Sequence, residues 1–276
     1  MSARLRDIAR HTQGIVTAGW YQAPGGREVP IAADVARAVA GTRLFGPEPV
    51  DVPAPSGPPA ATVLTVSGES SLQAARRLTD ASNGPVAVLN FSSARNPGGG
   101  YLNGAQAQEE SLCRASALYT CVVSVPEFYA AHRADRDPFY TDRVIHSPGV
   151  PVFRDDRGAL LERPYQVGFL TSPAPNAGVI ARTSPERADR VPAALLSRAE
   201  RVLEVAAAQG YRRLVLGAWG CGVFQCDPAQ VADAFHRLLT GAGRFAGRFD
   251  EVVFAVLDRR ADSPTRAAFA VRFNEA

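Results

Sequence analysis

The residues best equipped for chemistry lie between Asn90 and Ser116, where the chain reads NFSSARNPGGGYLNGAQAQEESLCRAS. Three consecutive glycines, Gly98, Gly99 and Gly100, are followed after seven residues by Gln108, Glu109 and Glu110. A glycine triplet is costly in backbone entropy, so it marks a place where the chain takes up positive φ or approaches another group closely. Bare N–H groups beside the positive end of a helix suit a diphosphate. Two carboxylates just beyond such a cradle suit acid–base chemistry next to a phosphate. Successive helical side chains diverge by roughly 100°, so Glu109 and Glu110 cannot both face one atom. One carboxylate is therefore expected to be catalytic and the other to position the substrate. The same residues also fit a plain turn running into an acidic first helical turn.

These side chains need a scaffold. An apolar run from Val86 to Asn90 reads as a strand feeding the glycine loop, and a helical pattern from about Gln106 to Tyr119 follows it. Similarly, a buried strand from Arg213 to Leu216 leads into a second glycine-bearing loop, with Asp227 as helix N-cap and Pro228 at the first position. From residue 60 onward strands alternate with helices: strands at 62–66, 144–146, 150–153, 166–170 and 251–257, and helices at 71–81, 185–209, 227–239 and 263–272. Alternation of this kind predicts a largely parallel sheet covered on both faces, with ligands at the carboxyl ends of the strands. The strand pieces around Val144 and Val150 are interrupted by prolines and are expected near an edge.

Ahead of this body, residues 3–18 and 31–39 read as amphipathic helices separated by a turn at Pro24-Gly25-Gly26. Residues 47–59 hold six prolines in thirteen positions, which predicts an extended connector. The reading is thus an N-terminal extension, 1–59, joined to a main domain, 60–276, as one structural unit.

A composition of 46% hydrophobic and 21% charged residues marks an ordinary globular protein, and a net charge of +3 is too mild for a nucleic-acid binder. Absence of an apolar leader or membrane-length stretch makes the cytoplasm the expected location and excludes a membrane partner. Cys113, Cys121, Cys221 and Cys226 are too irregularly spaced for a disulfide framework, and no nearby histidine completes a zinc set. No metal and no cofactor are expected, and a monomer is the default.

The triplet Gly98-Gly99-Gly100 followed by Gln108-Glu109-Glu110 resembles the signature of the poly(ADP-ribose) glycohydrolases. The stretch Gly217-Ala218-Trp219-Gly220-Cys221-Gly222-Val223-Phe224 resembles the family's other ligand loop. Gly19-Trp20-Tyr21 and Gly41-Thr42-Arg43-Leu44-Phe45 resemble the short extension of the bacterial type. The resemblance implies a three-layer α/β/α macrodomain-like mixed sheet and hydrolysis of ribose–ribose bonds in poly(ADP-ribose) or poly(ADP-ribosyl)ated protein, from the chain end, with ADP-ribose as product.

On this resemblance Glu110 is the general acid, protonating the leaving oxygen through an oxocarbenium-like state and then activating water. A dry pocket around Glu110 is expected when substrate is bound. Glu109 orients the ribose, Asn90 and Asn96 assist, and Gln108 completes the motif. Gly98, Gly99, Gly100, Gly217, Trp219, Gly220, Cys221, Gly222, Val223 and Phe224 belong to the ligand loops. Ala218 stands where relatives often carry Asn, removing one amide contact. Rival readings are a non-catalytic ADP-ribose reader, a hydrolase of mono-ADP-ribosylated protein, and a sugar or nucleotide phosphatase.

Overall fold

The computed structural model describes residues 2–54, 61–82, 84–258, 260 and 262–273. The proposed boundary at residue 59, and the end of the proline-rich connector, lie outside the described residues.

Helix α1 (Ala3–Ala18) starts where the Ser2 hydroxyl accepts the Leu5 N–H and ends at Gly19, which is left-handed at φ 78°. The expected turn after it is a small hairpin of β1 (Trp20–Gln22) and β2 (Glu28–Pro30), and α2 (Ala32–Gly41) follows. Next comes β3 (Arg43–Phe45), a strand too short to show a period in sequence, which pairs antiparallel with residues 144–146. The N-terminal extension therefore supplies an edge strand of the main sheet.

The body continues with β4 (Val63–Ser67), α3 (Ser71–Ala81) behind a capping box of Ser70 and Gln73, and β5 (Val86–Phe91). The single helix expected over 106–119 is divided into α4 (Gln108–Ala115) and α5 (Leu118–Val123). Ser116 causes the break: its hydroxyl donates to the Leu112 carbonyl and accepts the Leu118 N–H, and its extended backbone bridges to Val152. After α6 (Pro126–Ala134) come β6 (Val144–Arg154) and β7 (Leu160–Ser172). The two expected strand pieces are thus one strand, with Pro148 accommodated in a register shift between Ser147 and Val150.

The last third holds α7 (Ala177–Thr183), α8 (Val191–Ala208), β8 (Arg213–Gly217), α9 (Pro228–Leu239), β9 (Glu251–Ala255) and α10 (Pro264–Phe273). The helix expected from Pro185 is a 3₁₀ segment to Arg190, and α8 begins only at Val191 with Pro192 in its first turn. The main sheet runs β3-β6-β7-β5-β8-β9-β4. Strands β7, β5, β8, β9 and β4 are mutually parallel, and β6 runs antiparallel to both its neighbours, β7 and β3, so the sheet is mixed.

Two cores flank it, as the pleat requires. Val86 and Val88 face the layer that contains α1 to α6, whereas Ala87 and Leu89 face α7 to α10. Strand β5 is buried from Val86 to Asn90, which gives the continuous apolar run that betrayed it in the sequence.

Candidate active site

Because β5 and β8 pair in parallel, the loops leaving Phe91 and Gly217 emerge side by side at the carboxyl end of the sheet. In the first loop Gly98 and Gly99 are left-handed at φ 65° and 57°. A β-carbon on Gly98 would lie 2.8 Å from the Tyr119 ring, and one on Gly100 would lie 2.6 Å from that of Ala105. On Gly99 it would lie 2.5 Å from Oε1 of Glu110 and 3.1 Å from Oε2 of Glu109. The N–H of Gly99 donates to the Asn96 carbonyl at 2.9 Å, that of Gly100 to Glu110 Oε1 at 2.8 Å, and that of Tyr101 to the Gly98 carbonyl at 3.0 Å. In this structure the N–H groups of Gly99, Gly100 and Tyr101 are directed at loop carbonyls and at the Glu110 carboxylate. The second loop has the free donors. Among the described residues the N–H groups of Gly220, Gly222 and Val223 meet no protein acceptor.

Glu109 and Glu110, at the start of α4, are both buried but differently held. Glu109 Oε2 accepts the Ser93 N–H at 2.7 Å, and Oε1 lies 3.4 Å from Asn90 Nδ2. Burial pushes the Glu109 carboxyl up to about 8, the Glu110 charge adds to this, and the N–H groups of Ser93 and Gly98 with the Asn90 amide oppose it. Glu110 Oε1 takes the Gly100 N–H, while its Oε2 is buried with no hydrogen-bond partner. The two carboxylates are therefore held differently: both oxygens of Glu109 have donors from the protein, and Glu110 keeps one oxygen without a partner.

A cleft of about 760 Å³ connects the loops, bounded by Asn96, Gly99, Glu110, Gly220, Val223 and Phe224 among others. Asn96 is exposed to it, and the Phe224 ring stands 5.8 Å from that of Tyr140. Several predicted ligand residues have other work. Trp219 is fully buried, its Nε1 donating to the Ser172 carbonyl at 2.9 Å, so its ring belongs to the core. Gln108 braces the end of β5: its Nε2 donates to the Leu89 carbonyl at 2.7 Å and its Oε1 accepts the Phe91 N–H at 2.9 Å. Asn90 is fully buried and donates to Thr171 Oγ1 at 3.1 Å. Gly217 packs against the Ala255 carbonyl, where a β-carbon would come within 2.5 Å. Cys221 opens into an adjoining cavity of about 440 Å³.

A family model described as "Microbial-type PARG, catalytic domain" matches residues 9–155, which include the glycine triplet and both carboxylates. The chain belongs to the microbial-type poly(ADP-ribose) glycohydrolase family. It is an enzyme of the glycosidase class with a macrodomain-like α/β fold. The poly(ADP-ribose) glycohydrolase of Thermomonospora curvata is similar at 52% identity, covering 99% of this chain and 100% of that one with a TM-score of 0.93. The same enzyme bound to the inhibitor ADP-HPD matches at 53% identity and a TM-score of 0.89, covering 99% of this chain and 100% of that one. The Deinococcus radiodurans enzyme in complex with ADP-ribose matches at 45% identity and a TM-score of 0.80, covering 87% of this chain and 97% of that one. No curated protein sequence matches.

Within this family member, several contributors carried no sequence signal. Ser93 is one of two serines after a strand, and only the folded loop aims its N–H at Glu109. Tyr101, fully buried, donates to the Ala9 carbonyl at 3.1 Å and accepts from Gln13 Nε2 at 3.1 Å, which ties the glycine loop to α1. Thr12 donates to the Arg114 carbonyl at 2.7 Å, tying α4 to the same helix. Phe91, which ends β5, and Asn103, in the segment joining β5 to α4, also stand on the cleft wall.

Proposed function

We propose that the enzyme hydrolyses the ribose–ribose O-glycosidic bonds of poly(ADP-ribose), free or on modified protein, releasing ADP-ribose from the chain end. The observation carrying this reading is the unpartnered Oε2 of Glu110 on the wall of a cleft built by two glycine loops. A protonated Oε2 donates its proton to the leaving ribose oxygen as the C1″–O bond breaks; the resulting carboxylate takes a proton from water as the water oxygen bonds to C1″. Glu109 and Asn96 orient the ribose. The free N–H groups of the second loop hold the diphosphate, whose charge offsets the oxocarbenium-like carbon. No described helix is long and apolar enough to cross a membrane, and we place the enzyme in the cytoplasm.

Purified wild type and Glu110→Gln, each incubated with poly(ADP-ribose), mono-ADP-ribosylated protein and ADP-ribose-1″-phosphate, test the reading. ADP-ribose should be released from polymer, and Glu110→Gln should lower turnover by roughly 1,000-fold while still binding ADP-ribose. Binding of polymer without cleavage, or near-normal turnover by Glu110→Gln, would overturn it.

A further inference from the structure

The chain takes a strained path at one end of the catalytic cleft. Among the described residues only two that are not glycine are left-handed, Tyr140 at φ 58° and Gln225 at φ 57°. Both serve one place: Gln225 directly follows Phe224, and the Tyr140 ring stands 5.8 Å from the Phe224 ring, tilted by 45° rather than face to face. A bulky residue in this conformation is strained, and it persists only where its surroundings over-determine it.

Those surroundings are specific. The Asn176 N–H donates to the Pro138 carbonyl at 2.8 Å and the Gly178 N–H to the Phe224 carbonyl at 2.9 Å, so the segment carrying Tyr140 and the loop carrying Phe224 are fastened to one short stretch at the start of α7. The buried His132 ring meets the Tyr140 ring nearly at right angles, at 5.8 Å. From the glycine-loop side the Arg95 guanidinium lies 5.7 Å from the centre of the Tyr140 ring. Its Nε and Nη2 donate to the His132 and Arg136 carbonyls at 3.2 and 3.0 Å, which fixes its plane. Asn96, next in the chain, bounds the cleft, as Phe224 does. Phe224, Tyr140 and Arg95 thus form a row of three flat groups at that end of the cleft, each partly exposed. The row is not a charge trap, because Asp135, Asp137 and Asp142 share the segment with Tyr140, the last two pairing with Arg187 and Arg198 at 2.6 and 3.1 Å. What it offers is π surface.

We infer that this row is the subsite for the leaving side of the cut bond, where the adenine of the next ADP-ribose unit stacks. The inference deepens the glycohydrolase reading above and rests on it. In poly(ADP-ribose) the leaving oxygen belongs to the ribose of an adenosine, so an adenine lies one sugar ring away from the bond that Glu110 protonates. Aromatic rings and arginine planes stack on the π-face of a base. The row therefore selects the leaving group. A link within the polymer presents an adenine to it, whereas the unit attached to a modified protein presents an amino-acid side chain.

Two substitutions test this on a Glu110→Gln background: Tyr140→Leu, which removes the ring and keeps bulk, and Tyr140→Phe, which keeps the ring. Each protein is titrated with ADP-ribose and with the two-unit oligomer. Glu110→Gln alone should bind the oligomer about tenfold more tightly than ADP-ribose, since one more base is stacked. Tyr140→Leu should remove that advantage and leave the affinity for ADP-ribose where it was, and Tyr140→Phe should retain it. Equal affinities of Glu110→Gln for the two ligands overturn the inference without any change at position 140, so a Tyr140→Leu protein that failed to fold would not shield it. An equal loss for both ligands would make Tyr140 a prop for Phe224, and no loss for either would make it a bystander; each of these overturns the inference as well. If wild type cut no polymer, the glycohydrolase reading would fall while the affinity comparison still decided the subsite.

Discussion

A β-carbon on Gly99 would lie 2.5 Å from Oε1 of Glu110, so the glycine loop passes the carboxylate where no side chain fits. Gly99 is also left-handed at φ 57°, where a side chain is strained. Gly99→Ala is therefore expected to push the Glu110 carboxylate aside and lower kcat by roughly 100-fold, the order of loss for a misplacement of about 1 Å. Turnover measured beside a melting curve checks this; a variant that melts normally and turns over normally would contradict it.

The environment of Glu109 predicts a pH signature in stability. Its carboxyl is pushed up to about 8 from an ordinary 4.5, chiefly by burial. Between those values the folded protein holds a proton that the unfolded chain lacks, so stability falls as pH rises through the window. Burial brings His132 and His146 down to about 4, so their loss of stability comes instead as pH falls from 6.5. Between pH 6.5 and 8 neither histidine contributes. Wild type should lose melting temperature across that interval, and Glu109→Gln should flatten the slope. Equal slopes for the two proteins would refute the assignment.

Two aromatic residues of the second loop should separate cleanly. Trp219→Phe removes the donor to the Ser172 carbonyl inside the core and should cost about 1–3 kcal/mol of stability with KM unchanged. Phe224→Ala, on the cleft wall, should raise KM severalfold with little change in melting. Titration of ADP-ribose binding on both variants distinguishes them, and a KM defect in Trp219→Phe at full stability would place its ring in the site after all.

Tyr101→Phe leaves the buried Ala9 carbonyl and Gln13 amide without their shared hydroxyl. A loss of about 1 kcal/mol is expected. Because Tyr101 directly follows the Gly100 N–H that holds Glu110, a few-fold fall in kcat should accompany it. Unchanged kinetics would show that α1 stabilises the loop without tuning it.

How far the sequence reaches is clear from particular elements. Strand β5 was legible because burial on both faces leaves an unbroken apolar run, and α9 because Asp227 is a cap with local geometry. Strand β3 was not legible: three residues carry no period, and its pairing with β6 is a contact across about a hundred positions of chain. Ser116 fits a continuous helical pattern in sequence, and the break there is fixed only when its extended backbone bridges to Val152 of β6.

The site divides in the same way. Local residue order alone determined that two glycine loops follow strands of one sheet, and that two carboxylates open a helix beside the first, because glycine, caps and periodicity act over a few residues. Which loop keeps its N–H groups free, that Trp219 turns into the core, and that Glu110 keeps one oxygen unclaimed while Glu109 does not were decided by tertiary structure. Each depends on where a donor from a distant segment comes to rest, and hydrogen-bond partners are assigned by packing in space rather than by neighbourhood along the chain.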